Sequence, residues 1–293
     1  MKTYARNSLL ITVFLILSAI SMPALAQSFT HTALTPVWTS PEGLKTPESV
    51  LFDQKRQVLY VSNINGGHSD KDGNGFISKL APDGSIISLE WVVGLNAPKG
   101  MGISEDRLYV SDMNEVVEID INTGKILQKY EATDGLFLND ISCDINGKVY
   151  ISDMQDKKIY RLWKGKLEIW LKDDRLENVN GLLVMNDYVL AGVKDEILKI
   201  NAASGAIEEM VKGTGGIDGL VTDGRGNYLF SDWSGHVYIY LPGKPIVKLL
   251  DTTPLNVNAA DIEYFIDKDI LLVPTFSDNH VVTYKLDISK IKE

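Results

Sequence analysis

A single cysteine, Cys143, stands in a chain of 293 residues, so no internal disulfide can staple the fold. Histidine is nearly as scarce: His31, His68, His236 and His280 lie far apart, without the spacing of a zinc site. No G-x-S-x-G turn is present, which removes the usual serine-hydrolase signature. Lys and Arg number 29 against 39 Asp and Glu, a net charge of −10 with no basic cluster, so no nucleic-acid partner is expected. Gly213-Thr214-Gly215-Gly216 is not followed by the Lys-Ser/Thr of a phosphate loop. Long apolar runs are absent except from Leu9 to Ile20, which follows Lys2 and Arg6 and leads into Ala24-Leu25-Ala26. That order reads as a secretory leader cleaved after Ala26, too short for a bilayer span. The expectation is a leader over residues 1–26 and one domain over residues 27–293, periplasmic or secreted, with no integral membrane segment once the leader is removed.

Helical periodicity is missing as well, and in its place stands a repeated alternation of period two. The segments Leu59-Tyr60-Val61-Ser62-Asn63, Leu108-Tyr109-Val110-Ser111-Asp112, Val149-Tyr150-Ile151-Ser152-Asp153, Val189-Leu190-Ala191-Gly192, Leu229-Phe230-Ser231-Asp232 and Leu271-Leu272-Val273-Pro274-Thr275 are copies of one strand. They recur roughly 40–49 residues apart, the period of propeller blades. Each copy continues into a third strand, a turn and a fourth, as in Val116 to Ile121, Asn122-Thr123-Gly124 and Lys125 to Tyr130. The last copy ends after three strands near Leu286, whereas residues 35–39 form an orphan strand before Pro41-Glu42-Gly43. The fold expected is all-β, a six-bladed β-propeller whose ring is closed by the N-terminal strand in the last blade, which removes the exposed sheet edge.

First strands line the channel of a propeller. Here they read Glu48-Ser49-Val50, Lys99-Gly100-Met101, Asn139-Asp140-Ile141, Asn180-Gly181-Leu182, Asp218-Gly219-Leu220 and Ala260-Asp261-Ile262. The third position is always apolar, so packing sets the register, and the first position then brings Glu48, Asn139, Asn180 and Asp218 toward one axis. Oxygen donors of this kind suit a hard divalent cation, Ca²⁺ first, with Mg²⁺, Mn²⁺ or Zn²⁺ as alternatives. Asn and Asp before Gly also serve as turn residues, but a turn does not call for Glu48. Lys99, at the same register, either neutralises the acidic ring or meets a substrate oxygen.

These blade starts are similar to those of the gluconolactonase, regucalcin and luciferin-regenerating-enzyme family of six-bladed propellers, over essentially the whole chain after the leader. The resemblance implies that Glu48, Asn139, Asn180 and Asp218 hold a divalent cation at the channel mouth, where a lactone ring is opened. Two departures stand out. Glu48-Ser49-Val50 with Phe52 replaces the family's Glu-Gly-Pro and following Trp, and Phe137 precedes Asn139 where sugar-acid lactonases often carry Arg. The expected function is an exported, metal-dependent hydrolase acting on a small lactone or sugar-derived ester, with Asp218 or Asp140 as the base and Lys99 and Phe137 against the substrate. The alternative is a non-catalytic propeller that binds a small ligand or a partner protein around a structural cation.

Blade one carries an insert, and its Asp70, Asp72, Asn74 and Gly75 match the first half of a calcium loop. Ala81 stands where an EF-hand needs Glu, so the readings left are a strand-flanked calcium loop or a hairpin turn on the face of the channel mouth. Cys143 aligns with Phe52 and Val184 and reads as a small buried hydrophobe. The Trp residues, Trp91 and Trp170 among them, read mostly as core.

Overall fold

The computed structural model describes residues 28–291, and the expected leader lies outside them. Among the described residues the ordered elements are strands and short 3₁₀ turns, and no helix is long and apolar enough to cross a membrane. The strands form six antiparallel sheets, each a meander whose first strand faces the centre. Blade one comprises Pro47–Asp53, Val58–Asn63, Gly75–Leu80 and Ile86–Leu95; blade two Pro98–Ser104, Arg107–Asp112, Glu115–Asp120 and Ile126–Glu131. Blade three runs Leu138–Cys143, Val149–Asp153, Lys158–Trp163 and Lys166–Lys172; blade four Leu182–Val184, Tyr188–Gly192, Glu196–Asn201 and Ile207–Lys212. Blade five holds Leu220–Thr222, Tyr228–Asp232, His236–Tyr240 and Val247–Asp251. Blade six takes Glu263–Phe265, Ile270–Pro274 and Val281–Leu286 from the C-terminal end and Leu34–Thr39 from the N-terminal end.

The closing strand is therefore where the orphan strand was expected. It pairs antiparallel with Val281–Leu286, with Leu34 opposite Leu286 and Thr39 opposite Val282. One addition was not foreseen: Phe29–Thr30 pairs with Val247–Asp251 and gives blade five a fifth, outer strand.

Packing between blades explains the period-two alternation. Tyr60, Ile77 and Leu95 of blade one are buried against Leu108, Val117 and Ile119 of blade two, and an equivalent cluster joins blade six to blade one through Leu272, Phe265, Val50 and Leu59. Each fully buried Val, Leu or Ile stabilises the ring by about 1.5–3 kcal/mol relative to exposure. Trp91 and Trp170 support this core, Trp91 tilted against Tyr60 and Trp170 edge to face with Tyr150, at 5.0 and 4.9 Å between ring centres. Cys143 is a half-buried hydrophobe beside this packing, and burial pushes its thiol far up.

Candidate functional site

The recurrent Ser-Asp at the end of the second strands turns out to be the device that aims the channel residues. In blades one and three the first strand carries an irregularity in register, between Pro47 and Ser49 and between Leu138 and Ile141. Such a bulge leaves a backbone N–H without its ladder partner and re-aims the adjacent side chain. The Ser62 hydroxyl accepts the Ser49 N–H at 3.0 Å, Ser152 accepts that of Asp140 at 2.9 Å, and Ser231 accepts that of Gly219 at 2.9 Å. The residue just before each of these, Glu48, Asn139 and Asp218, is thereby held at the channel mouth. The Asp of the motif clamps the loop arriving from the preceding blade: Asp112 accepts the N–H of Ala97 at 2.8 Å, and Asp153 that of Phe137 at 3.1 Å.

The result is a cavity of about 410 Å³ whose lining includes Glu48, Lys99, Asn139, Asn180, Asp218 and Phe137. All four expected cation ligands and both expected substrate contacts thus share one wall. Glu48 Oε2 and Asp218 Oδ2 are buried with no hydrogen-bond partner, which a polar atom in a folded interior rarely tolerates. Asn180 Nδ2 donates to Asp218 Oδ1 at 2.6 Å. Lys99, almost wholly buried, donates from Nζ to the Ala97 carbonyl at 2.9 Å and lies 4.6 Å from the Phe137 ring centre, a cation–π contact.

Electrostatics at the mouth follow from this burial. Desolvation and then the neighbouring Asp218 hold the Glu48 carboxyl well above the ordinary range, with Lys99 opposing. Burial lifts Asp218 to about 7 against the Asn180 hydrogen bond. Burial lowers Lys99, and Glu48 and Asp112 counter it. Among the described residues no group of three or more His, Cys, Asp or Glu gathers to hold a metal. Two carboxylates and two amides do gather, and the orphaned oxygens of Glu48 and Asp218 fit a hard divalent cation that would satisfy both.

Asp140, the alternative base, is not among the cavity-lining residues: its two oxygens accept the N–H groups of Ile141 at 2.6 Å and Leu182 at 2.5 Å, which ties blade three to blade four. The acidic insert is on the expected face, since His68 lines the cavity, but its carboxylates turn onto their own loop: Asp70 accepts the Gly67 N–H at 3.0 Å and Asp72 the Asn74 N–H at 3.2 Å. The hairpin-turn reading describes that geometry.

Five lining residues escaped the sequence reading: Gln155 and four apolar ones, Ile64, Met154, Trp233 and Phe276. The four apolar residues directly follow second-strand repeats, after Asn63, Asp153, Asp232 and Thr275, so in four of the six blades this position brings an apolar side chain to the cavity. Trp233 and Phe276 meet edge to face, 5.5 Å between ring centres at 79°.

No family model and no curated protein matches the chain. Among solved structures it is similar to streptogramin B lyase, with a TM-score of 0.63 and 13% identity, covering 91% of this chain and 100% of that one. It is also similar to a catalytically inactive virginiamycin B lyase from Staphylococcus aureus with quinupristin, at 0.61 and 15%, covering 89% and 100%. A third likeness is to the WD40 propeller domain of Doa1, at 0.60 and 12%, covering 83% and 79%. At such identities what is shared is the fold, and the chain is a six-bladed β-propeller.

Proposed function

We propose that the protein is an exported hydrolase of the lactonase type that works with a divalent cation, Ca²⁺ by preference, at the channel mouth. This is the activity implied by the resemblance to the gluconolactonase and regucalcin family. The observation that carries it is the pair of orphaned, buried carboxylate oxygens, Glu48 Oε2 and Asp218 Oδ2, in the wall of a cavity that also holds Asn139 and Asn180. A cation bound there supplies Lewis-acid polarisation of a carbonyl oxygen. The chain supplies the rest. Asn180 orients Asp218 through Oδ1, and the Asp218 carboxylate serves as ligand and base together, Oδ2 facing the cation and its remaining lone pair taking a proton from the attacking water and returning it to the ring oxygen as the acyl C–O bond opens. Lys99 presents its ammonium to the carbonyl or carboxylate oxygen of the substrate, and its contact with Phe137 fixes where that charge sits.

The test is a calorimetric titration with Ca²⁺, Mg²⁺, Mn²⁺ and Zn²⁺ beside a lactone hydrolysis assay with and without chelator. Cation binding with chelator-sensitive turnover is expected. Binding without turnover on any lactone would assign the mouth to ligand capture around a structural cation, and no binding at millimolar cation would remove the proposal. Export rests on the leader alone, and an N-terminus at Gln27 in the secreted or periplasmic fraction is the expected result.

A further inference from the structure

Beside its polar floor, and apart from His68 and Gln155, the cavity is walled by carbon and sulfur: Ile64, Met154, Trp233 and Phe276 line it. Phe137, already held under Lys99, adds a further face and meets His68 edge to face at 5.9 Å. The apolar wall is built and held in place. Trp233 is 53% exposed at the mouth, yet its loop is clipped to that of Phe276 by the buried Asn258, whose Nδ2 donates to the Trp233 carbonyl at 2.9 Å and whose Oδ1 accepts the Ser277 N–H at 3.4 Å. Phe276 itself has a φ of 48°, a left-handed backbone that bulky side chains rarely adopt. Strain of this kind persists where surrounding structure over-determines it, and here it places an aromatic ring on the cavity rim.

Resting on the lactonase reading of the floor, we propose that the substrate is a lactone bearing an aryl or alkyl substituent, its carbonyl toward Glu48, Asp218 and Lys99 and its apolar group between Trp233 and Phe276 on one side and Phe137 and Met154 on the other. A cavity of about 410 Å³ admits a lactone ring with one such substituent.

Binding and turnover must be read separately. The binding probes are two lactams that resist hydrolysis, 5-phenylpyrrolidin-2-one and gluconolactam, titrated by Trp fluorescence and calorimetry into the Ca²⁺-loaded wild type, Trp233→Ala and Phe276→Asn. Asn tolerates the left-handed backbone, so the second variant removes the ring without adding strain. Wild type should bind the phenyl lactam at least about tenfold more tightly than gluconolactam, and either variant should lose about tenfold in phenyl lactam affinity. Ca²⁺ titration of both variants should match wild type, showing that the floor is intact. The turnover arm compares γ-phenyl-γ-butyrolactone, γ-nonalactone and glucono-δ-lactone. Preferential phenyl lactam binding that both variants weaken supports the substrate class even if no lactone is hydrolysed, in which case it is the lactonase reading that fails. Tighter binding of gluconolactam, no binding of either lactam, or variants that bind the phenyl lactam as well as wild type would each overturn the proposal.

Discussion

Two sets of carboxylates occupy the same channel, Glu48, Asp218 and Asp140 buried and Asp261 and Glu263 half-buried, and their oxygens are used differently. Toward the mouth, Glu48 and Asp218 each leave an oxygen without a partner. Deeper in, Asp140 accepts two backbone N–H groups, Asp261 accepts the Ser49 hydroxyl at 2.6 Å, and Glu263 accepts the N–H groups of Tyr264 at 2.6 Å and Phe52 at 3.2 Å. Many of these bonds cross from one blade to the next: Asp140 from three to four, Asp261 and Glu263 from six to one. The neighbours are small where the inner strands come closest. A Cβ on Gly100 would sit 2.5 Å from Asp140 Cα, and one on Gly219 2.4 Å from the Ile262 nitrogen. Burial and charge type are therefore poor guides to role in this channel. What separates Asp140 and Glu263 from Glu48 and Asp218 is that both of their oxygens already accept a hydrogen bond.

The sharpest way to break the comparison is to remove one carboxylate from each set. Asp218→Asn should lower lactone turnover by at least about 10²-fold, because it takes away the proposed base as well as a ligand. Its melting temperature without cation should stay level or rise, since a desolvated carboxyl with an unpaired oxygen has been removed. Asp140→Ala should do the reverse. It leaves the N–H groups of Ile141 and Leu182 unpaired inside the ring, each worth about 1–3 kcal/mol of lost stability, while the donors at the mouth remain in place. Thermal melts and lactone assays on the same two preparations check both halves.

A smaller effect comes from Glu263. Burial raises its carboxyl to about 7 despite two backbone hydrogen bonds, and Glu263 lines a hollow together with Phe52 and Gln57. A carboxyl raised in the folded state binds more protons folded than unfolded, so its contribution is complete below the ordinary Glu pKa and is lost as pH rises through about 7. Glu263→Gln removes this dependence and gives up one acceptor. The melting temperature of wild type relative to the variant should fall between pH 5 and pH 9, and a constant difference would place Glu263 outside this channel set.

The blade count, the closing strand and the polar ring were legible because each rests on a period: alternation within strands, recurrence of the second strand, and an apolar third position that fixes the register of Glu48, Asn139, Asn180 and Asp218. The backbone bonds of Asp140 were not legible, because a bulge decides which way a side chain next to it points, and nothing in Asn139-Asp140-Ile141 announces that bulge. The serines that accept the N–H groups beside Glu48, Asn139 and Asp218 were visible as a recurring Ser-Asp, yet their work depends on pairing with another strand. Trp233 and Phe276 were missed for a different reason. An aromatic after a buried strand reads as core, and only the position that follows each second-strand copy shows it reaching the channel mouth. The outer strand Phe29–Thr30 is too short to carry a pattern.

The central claim is that the mouth carboxylates are held open for a divalent cation while the deeper ones hold the ring together. Calorimetric Ca²⁺ titration of wild type, Glu48→Gln and Asp140→Asn at one pH tests it most directly. The account predicts saturable binding to wild type, binding weakened by at least about tenfold in Glu48→Gln, which keeps the shape but removes the charge, and binding like wild type in Asp140→Asn. Binding lost in Asp140→Asn and retained in Glu48→Gln would contradict it.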